Sequence, residues 1–121
     1  MIAKIFLMVL FTTVYAVDYS TEIQPIFDNN CGNCHLGNSS GGLNLSSYDD
    51  LMEGNVVVPG DHAASELYAR IILDNSVSGN MPPQAAELDQ SEIDLIAAWI
   101  DEGAIGQPLM TVTFNVDMSQ E

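Results

Sequence analysis

The sequence predicts a small all-α domain on three observations. Apolar residues recur at helical spacing in three stretches, each stretch opens near a side chain able to cap a helix, and glycine- or proline-bearing turns separate them. The first stretch runs from Asp18 to Asn30, where Ile23, Ile26 and Phe27 form one apolar face. Ser20 or Thr21 can cap it and Glu22 suits its first turn, while Pro25 is accommodated only near the start. Leu36 to Leu45 has no period and reads as a loop. Ser46 or Ser47 then caps a short helical turn through Tyr48 and Met52, closed by Gly54.

Val56-Val57-Val58-Pro59-Gly60 is a brief extended segment ending in a turn. Asp61 can cap the second helix, which is expected to reach about Leu73 and to bury Leu67, Tyr68, Ile71 and Ile72, with Arg70 off that stripe. A polar loop from Asp74 to Gly79 leads to Asn80-Met81-Pro82-Pro83. The third helix carries the clearest signals. Asp89 and Glu92 form a capping box, Leu88 and Ile93 a hydrophobic staple, and Gly103 the stop. Its core face is Ile93, Ile96, Ala97 and Ile100, with Trp99 beside it.

The two ends differ from this middle. Lys4, an apolar run from Ile5 to Val14 and the small residues around Ala16 read as an export signal over residues 1–16. The run is shorter than the roughly 20 residues of a membrane-spanning helix, and an uncleaved anchor is the competing reading. Residues 17–106 form the helical domain. Residues 107–121 begin with a Gln107-Pro108 linker, and Thr111 to Met118 alternates polar and apolar like a half-buried strand. A lone strand is unstable, so this stub reads as the start of a further domain of a longer exported protein.

The chemistry is concentrated in Cys31-Gly32-Asn33-Cys34-His35, which contains both cysteines of the chain. Two thiols with two residues between them and a histidine directly behind is the spacing of a c-type haem attachment site. Each thiol can add across a haem vinyl group, and His35 can then bind the iron from below. A structural zinc site wants four ligands, and only His62 is left to join these three. A thioredoxin-like pair wants a preceding strand, and a plain disulfide leaves His35 without a role. The haem reading accounts for the three side chains without a further ligand from elsewhere in the sequence.

Iron with one axial histidine retains an open face. Met81 is the candidate sixth ligand, because a thioether is a soft donor without a proton and Pro82-Pro83 stiffens its loop. His62 is the rival, and an open sixth position is the remaining alternative; Met52 and Met110 read as packing. Leu43 and Leu45 follow glycines that let backbone pass close to a flat ring, and are expected to face it. Arg70 can hold a haem propionate or a surface carboxylate. Trp99 and Tyr68 read first as core and second as haem-edge contacts.

Charge excludes some partners. Lys4 and Arg70 stand against 17 acidic residues, a net charge of −15, and loss of Lys4 with the signal makes it one unit more negative. Such a field repels nucleic acid and anionic membrane surfaces, and it would steer a basic redox partner; it also serves solubility.

From Thr21 to Ala104 the chain resembles a c-type cytochrome domain, and more narrowly the planctomycete-type cytochrome c modules of secreted bacterial proteins. The resemblance is carried by Pro25-Ile26-Phe27, Cys31 to His35, Gly41-Gly42-Leu43-Asn44-Leu45, Pro59-Gly60-Asp61, Ser65-Glu66-Leu67-Tyr68, Met81-Pro82-Pro83 and Leu95 to Ala104, in that order. It implies a helical fold wrapped on one covalent haem c, thioethers at Cys31 and Cys34, His35 as proximal and Met81 as distal iron ligand. It also implies haem attachment outside the cytoplasm, in the periplasm or beyond. Thr111 to Met118 is similar to the opening strand of β-sandwich carbohydrate-binding modules. The function expected is single-electron transfer without catalysis. The alternatives are a haem domain serving a catalytic domain of a larger secreted oxidoreductase, and a haem-based ligand sensor.

Overall fold

The computed structural model describes residues 15–83 and 86–107. The export signal up to Val14, Met110 and the strand expected over Thr111 to Met118 lie outside these residues. Five α-helices are present among the described residues: α1 (Gln24–Asn30), α2 (Gly32–His35), α3 (Tyr48–Glu53), α4 (Glu66–Ile71) and α5 (Gln90–Asp101). No strand occurs among them. The all-α expectation holds for this part of the chain.

The first helical stretch begins with a wide turn, Tyr19–Ile23, in which the Gln24 N–H donates to the Tyr19 carbonyl. Pro25 explains the widening: it has no N–H, and in an ordinary helix its ring would crowd the carbonyl of Thr21. The cap is Asp18 rather than Ser20 or Thr21. Its carboxylate accepts from Thr21 N–H at 3.0 Å, and Glu22 accepts from Asp18 N–H at 2.8 Å.

The second helix is shorter than its periodicity suggests. Asp61 caps only an isolated turn, accepting from Ala64 N–H, while Ser65 Oγ donates to the Asp61 carbonyl and accepts from Val58 N–H. These local side-chain bonds compete with helix, so α4 starts at Glu66. It also stops early, at Ile71, leaving Ile72 half exposed where the stripe expected it buried. Leu67 and Ile71 are buried as expected, and Tyr68 only partly.

α5 keeps its capping box, with Asp89 and Glu92 in the anticipated roles. Its buried face differs by one residue: Trp99 replaces Ala97 beside Ile93, Ile96 and Ile100. The cause is an aromatic cluster. Trp99 lies 5.2 Å from the Tyr19 ring and 6.5 Å from Tyr48, and its indole N–H donates to the Ile105 carbonyl at 2.9 Å. The Tyr48 hydroxyl donates to the Ala104 carbonyl, and Val17 N–H to Glu102, so both ends of the domain are fastened to α5.

Gly106 closes this side. A Cβ there would lie 2.6 to 2.7 Å from three atoms of the Tyr48 ring, which its hydroxyl bond and the ring cluster hold in place. Gly106→Ala is therefore expected to destabilise the haem-loaded protein by about 2 kcal/mol, as overpacking does. A melting temperature equal to that of the parent would contradict it.

Candidate haem site

The attachment motif is a single helical turn. Cys31 ends α1, its N–H donating to the Phe27 carbonyl at 2.8 Å, and its own carbonyl accepts from Cys34 and His35 N–H at 3.3 and 3.0 Å. Residues three and four apart on such a turn share a face, which brings both thiols and the imidazole together. Cys31 and Cys34 are half-buried and not bonded to each other, and His35 is buried. Among the described residues no three His, Cys, Asp or Glu side chains cluster as a metal site would need.

The loop after the motif folds back and orients it. His35 Nδ1 lies 2.8 Å from the Leu43 carbonyl, and Leu45 N–H donates to the His35 carbonyl at 2.8 Å. A carbonyl only accepts, so Nδ1 carries a proton, which in the neutral ring fixes the tautomer whose Nε2 lone pair can bind iron. Gln24 adds a further tie through its amide, which donates to the Leu45 carbonyl at 2.9 Å.

His35 and Cys31 line an apolar cavity of about 290 Å³ with Phe27, Leu43, Leu45, Val56, Leu67, Ile71 and Leu88. Met81 lies on its wall, as do Arg70, Glu66 and the glycines Gly41 and Gly42. A second hollow of about 110 Å³ lies between Cys34, Asn33 and Pro82-Pro83, and it shares Cys31, His35 and Met81 with the first. Of the residues the sequence nominated, Leu43, Leu45, Arg70 and Met81 thus meet the motif at one place. A larger open groove of about 580 Å³, lined by Tyr19, Tyr48, Gln24 and Gly106, contains none of them.

Three nominated residues lie elsewhere. His62 is bonded through Nδ1 to the Asp101 carboxylate at 2.8 Å and stands edge-on to Tyr68, 4.7 Å between rings. That hydrogen bond holds the Asp101 carboxyl below the usual range. Neither His62 nor Tyr68 lines the cavity. Trp99 is spent on the aromatic cluster and on Ile105. Arg70 forms a surface ion pair with Glu66 while remaining on the cavity wall.

Burial pushes the Cys31 thiol up to about 11, with the negative charge of Glu92 adding to the effect. The fold therefore favours the neutral thiol. That contribution to stability is present below the ordinary value of 9.0 and lost as pH rises through about 11. A thiol held protonated at neutral pH is unlike the low-pKa nucleophile of a redox pair.

The donor set suits a porphyrin. Imidazole and thioether are good ligands for haem iron, the thiols suit its vinyl groups, and the apolar walls suit its face. A helical shell that offers all of these around one slot defines the class of c-type cytochrome domains. Residues 31–85 match the family model for planctomycete cytochrome c, consistent with a module of that type. The match takes in both cysteines, His35, Arg70 and Met81. Comparison with curated proteins and with solved structures gives no significant match.

Sequence reasoning missed the Leu43 carbonyl, Gln24 and Glu66. A backbone acceptor leaves no trace in residue identity. Glu66 had a signal, being four residues before Arg70 on a helix.

Proposed function

We propose that the domain holds one haem c, bonded through Cys31 and Cys34 and ligated by His35 and Met81, and that it carries single electrons between proteins. The observation that supports this most is the His35 Nδ1 bond to the Leu43 carbonyl, which in the neutral ring reserves Nε2 for a ligand, on a residue that lines an apolar cavity. When bound, the haem supplies a one-electron Fe(III)/Fe(II) couple.

The residues of the chain do the rest. Leu43, Leu45, Leu67 and Ile71 exclude water from the slot, and this together with the choice of axial donors sets the potential. His35 is held in one tautomer, and Met81 offers a neutral donor that favours the ferrous form. In this reading the domain is a carrier and not an enzyme. It spans residues 17–106, follows a cleaved signal over 1–16 and works in the periplasm or outside the cell. The ties of Val17, Tyr48 and Trp99 to the region of α5 support those limits. Its acidic surface suits a basic redox partner.

The test is an absorption spectrum of protein made with haem-maturation machinery, beside Met81→Ala and His62→Ala. The parent and His62→Ala should show six-coordinate low-spin iron with a ferric sulfur-to-iron charge-transfer band. Met81→Ala should lose that band completely and have a lower potential. A Met81→Ala spectrum identical to the parent's would remove Met81 from the iron.

A further inference from the structure

Arg70 is the only lysine or arginine among the described residues, and its contacts run to the segment that bears Met81. Its carbonyl accepts from Met81 N–H at 3.0 Å, and its Nη1 donates to the Gly79 carbonyl at 3.2 Å. The other side of the guanidinium is held one helical turn back, with Nε and Nη2 donating to Glu66 Oε1 at 2.9 and 2.7 Å. Gly79 is shaped for this approach. It sits at φ +94°, and a Cβ there would stand 3.2 Å from Nη1.

We propose that Arg70 is a positioning residue for Met81: its guanidinium, oriented by Glu66, straps the turn of residues 79–81 to α4 and keeps the thioether at the cavity. This rests on the reading of Met81 as the second axial ligand. A half-exposed ion pair on one helix adds little by itself and would leave Met81 indifferent. The bond to Gly79 is what couples the pair to the ligand segment. A thioether is a weak, neutral donor, so the tethering of its backbone governs how often sulfur leaves iron. Lysine cannot reproduce the strap, because a single ammonium lacks the planar fork that serves a carboxylate and a carbonyl together.

The experiment uses the ferric haem-loaded protein and measures how fast imidazole, a neutral competitor, displaces the sixth ligand, with loss of the sulfur-to-iron band as readout. Arg70→Gln should exchange about tenfold faster, the effect of losing one charged hydrogen bond. Arg70→Lys should exchange several-fold faster, and Glu66→Gln about twofold, by loosening the guanidinium. Rates equal to the parent in Arg70→Gln and Arg70→Lys would overturn the strap. So would a fast Arg70→Gln beside an Arg70→Lys at the parental rate, since charge alone would then be at work. A parent protein without the sulfur-to-iron band would remove the Met81 reading and the strap together, whereas a parental band with unchanged exchange removes the strap alone.

Discussion

Polypeptide made where haem cannot be attached is expected to melt without a cooperative transition. The domain leaves a cavity of about 290 Å³, walled by Phe27, Leu43, Leu45, Val56, Leu67, Ile71 and Leu88. Without a group in it, these apolar walls face water, and the burial that would hold the segments together is lost at roughly 25 cal/mol per Å² of apolar surface. A small domain has only about 5 to 15 kcal/mol of net stability to lose. The short helices cannot compensate, because apart from α5 each has at most seven residues and depends on packing for its stability. Circular dichroism melts of haem-free and haem-loaded protein should therefore differ in kind, with a steep transition in the loaded form only. A haem-free melt as steep as the loaded one would show that the polypeptide alone closes its core.

Replacing Cys31 and Cys34 together by serine is expected to have the other large effect. In cells able to mature c-type cytochromes, the parent should carry colour that survives denaturation and acid–acetone extraction. The double variant should release all of its colour, since in the proposed reading His35 and Met81 would then hold haem by coordination alone. Either single variant should keep colour through its one remaining thioether. Covalent attachment makes the group effectively intramolecular, so its loss turns retention into ordinary, reversible binding. Extraction-resistant colour in the double variant would place the linkage elsewhere. A colourless parent with both thiols free would end the haem assignment.

Much of the site was legible because its parts are local. Cys31, Cys34 and His35 share a face through the 3.6-residue period, and the capping box of α5 is written within four residues, Asp89 to Glu92. Met81 stood out through Pro82 and Pro83, and the structure brings it to the same cavity as His35. Other elements were misjudged where side-chain bonds compete with helical preference. The helix expected from Asp61 begins at Glu66 because Ser65 bonds to Val58, and His62 N–H is taken by Asp101, 39 residues away. Trp99 is core, as its first reading had it, and Tyr19 and Tyr48 from two other segments enclose it.

The amino-acid order by itself determined the helical class, the attachment motif and the family resemblance, since each is carried by spacing along a single stretch of chain. Only the tertiary structure decided that the Leu43 carbonyl sets the tautomer of His35, that Arg70 reaches toward Gly79 and Glu66, and that His62 faces Asp101 away from the cavity. The physical reason is that most of these contacts use backbone carbonyls or partners on other segments. Their identity carries no sequence signal, and they meet only when the packed core brings the segments together.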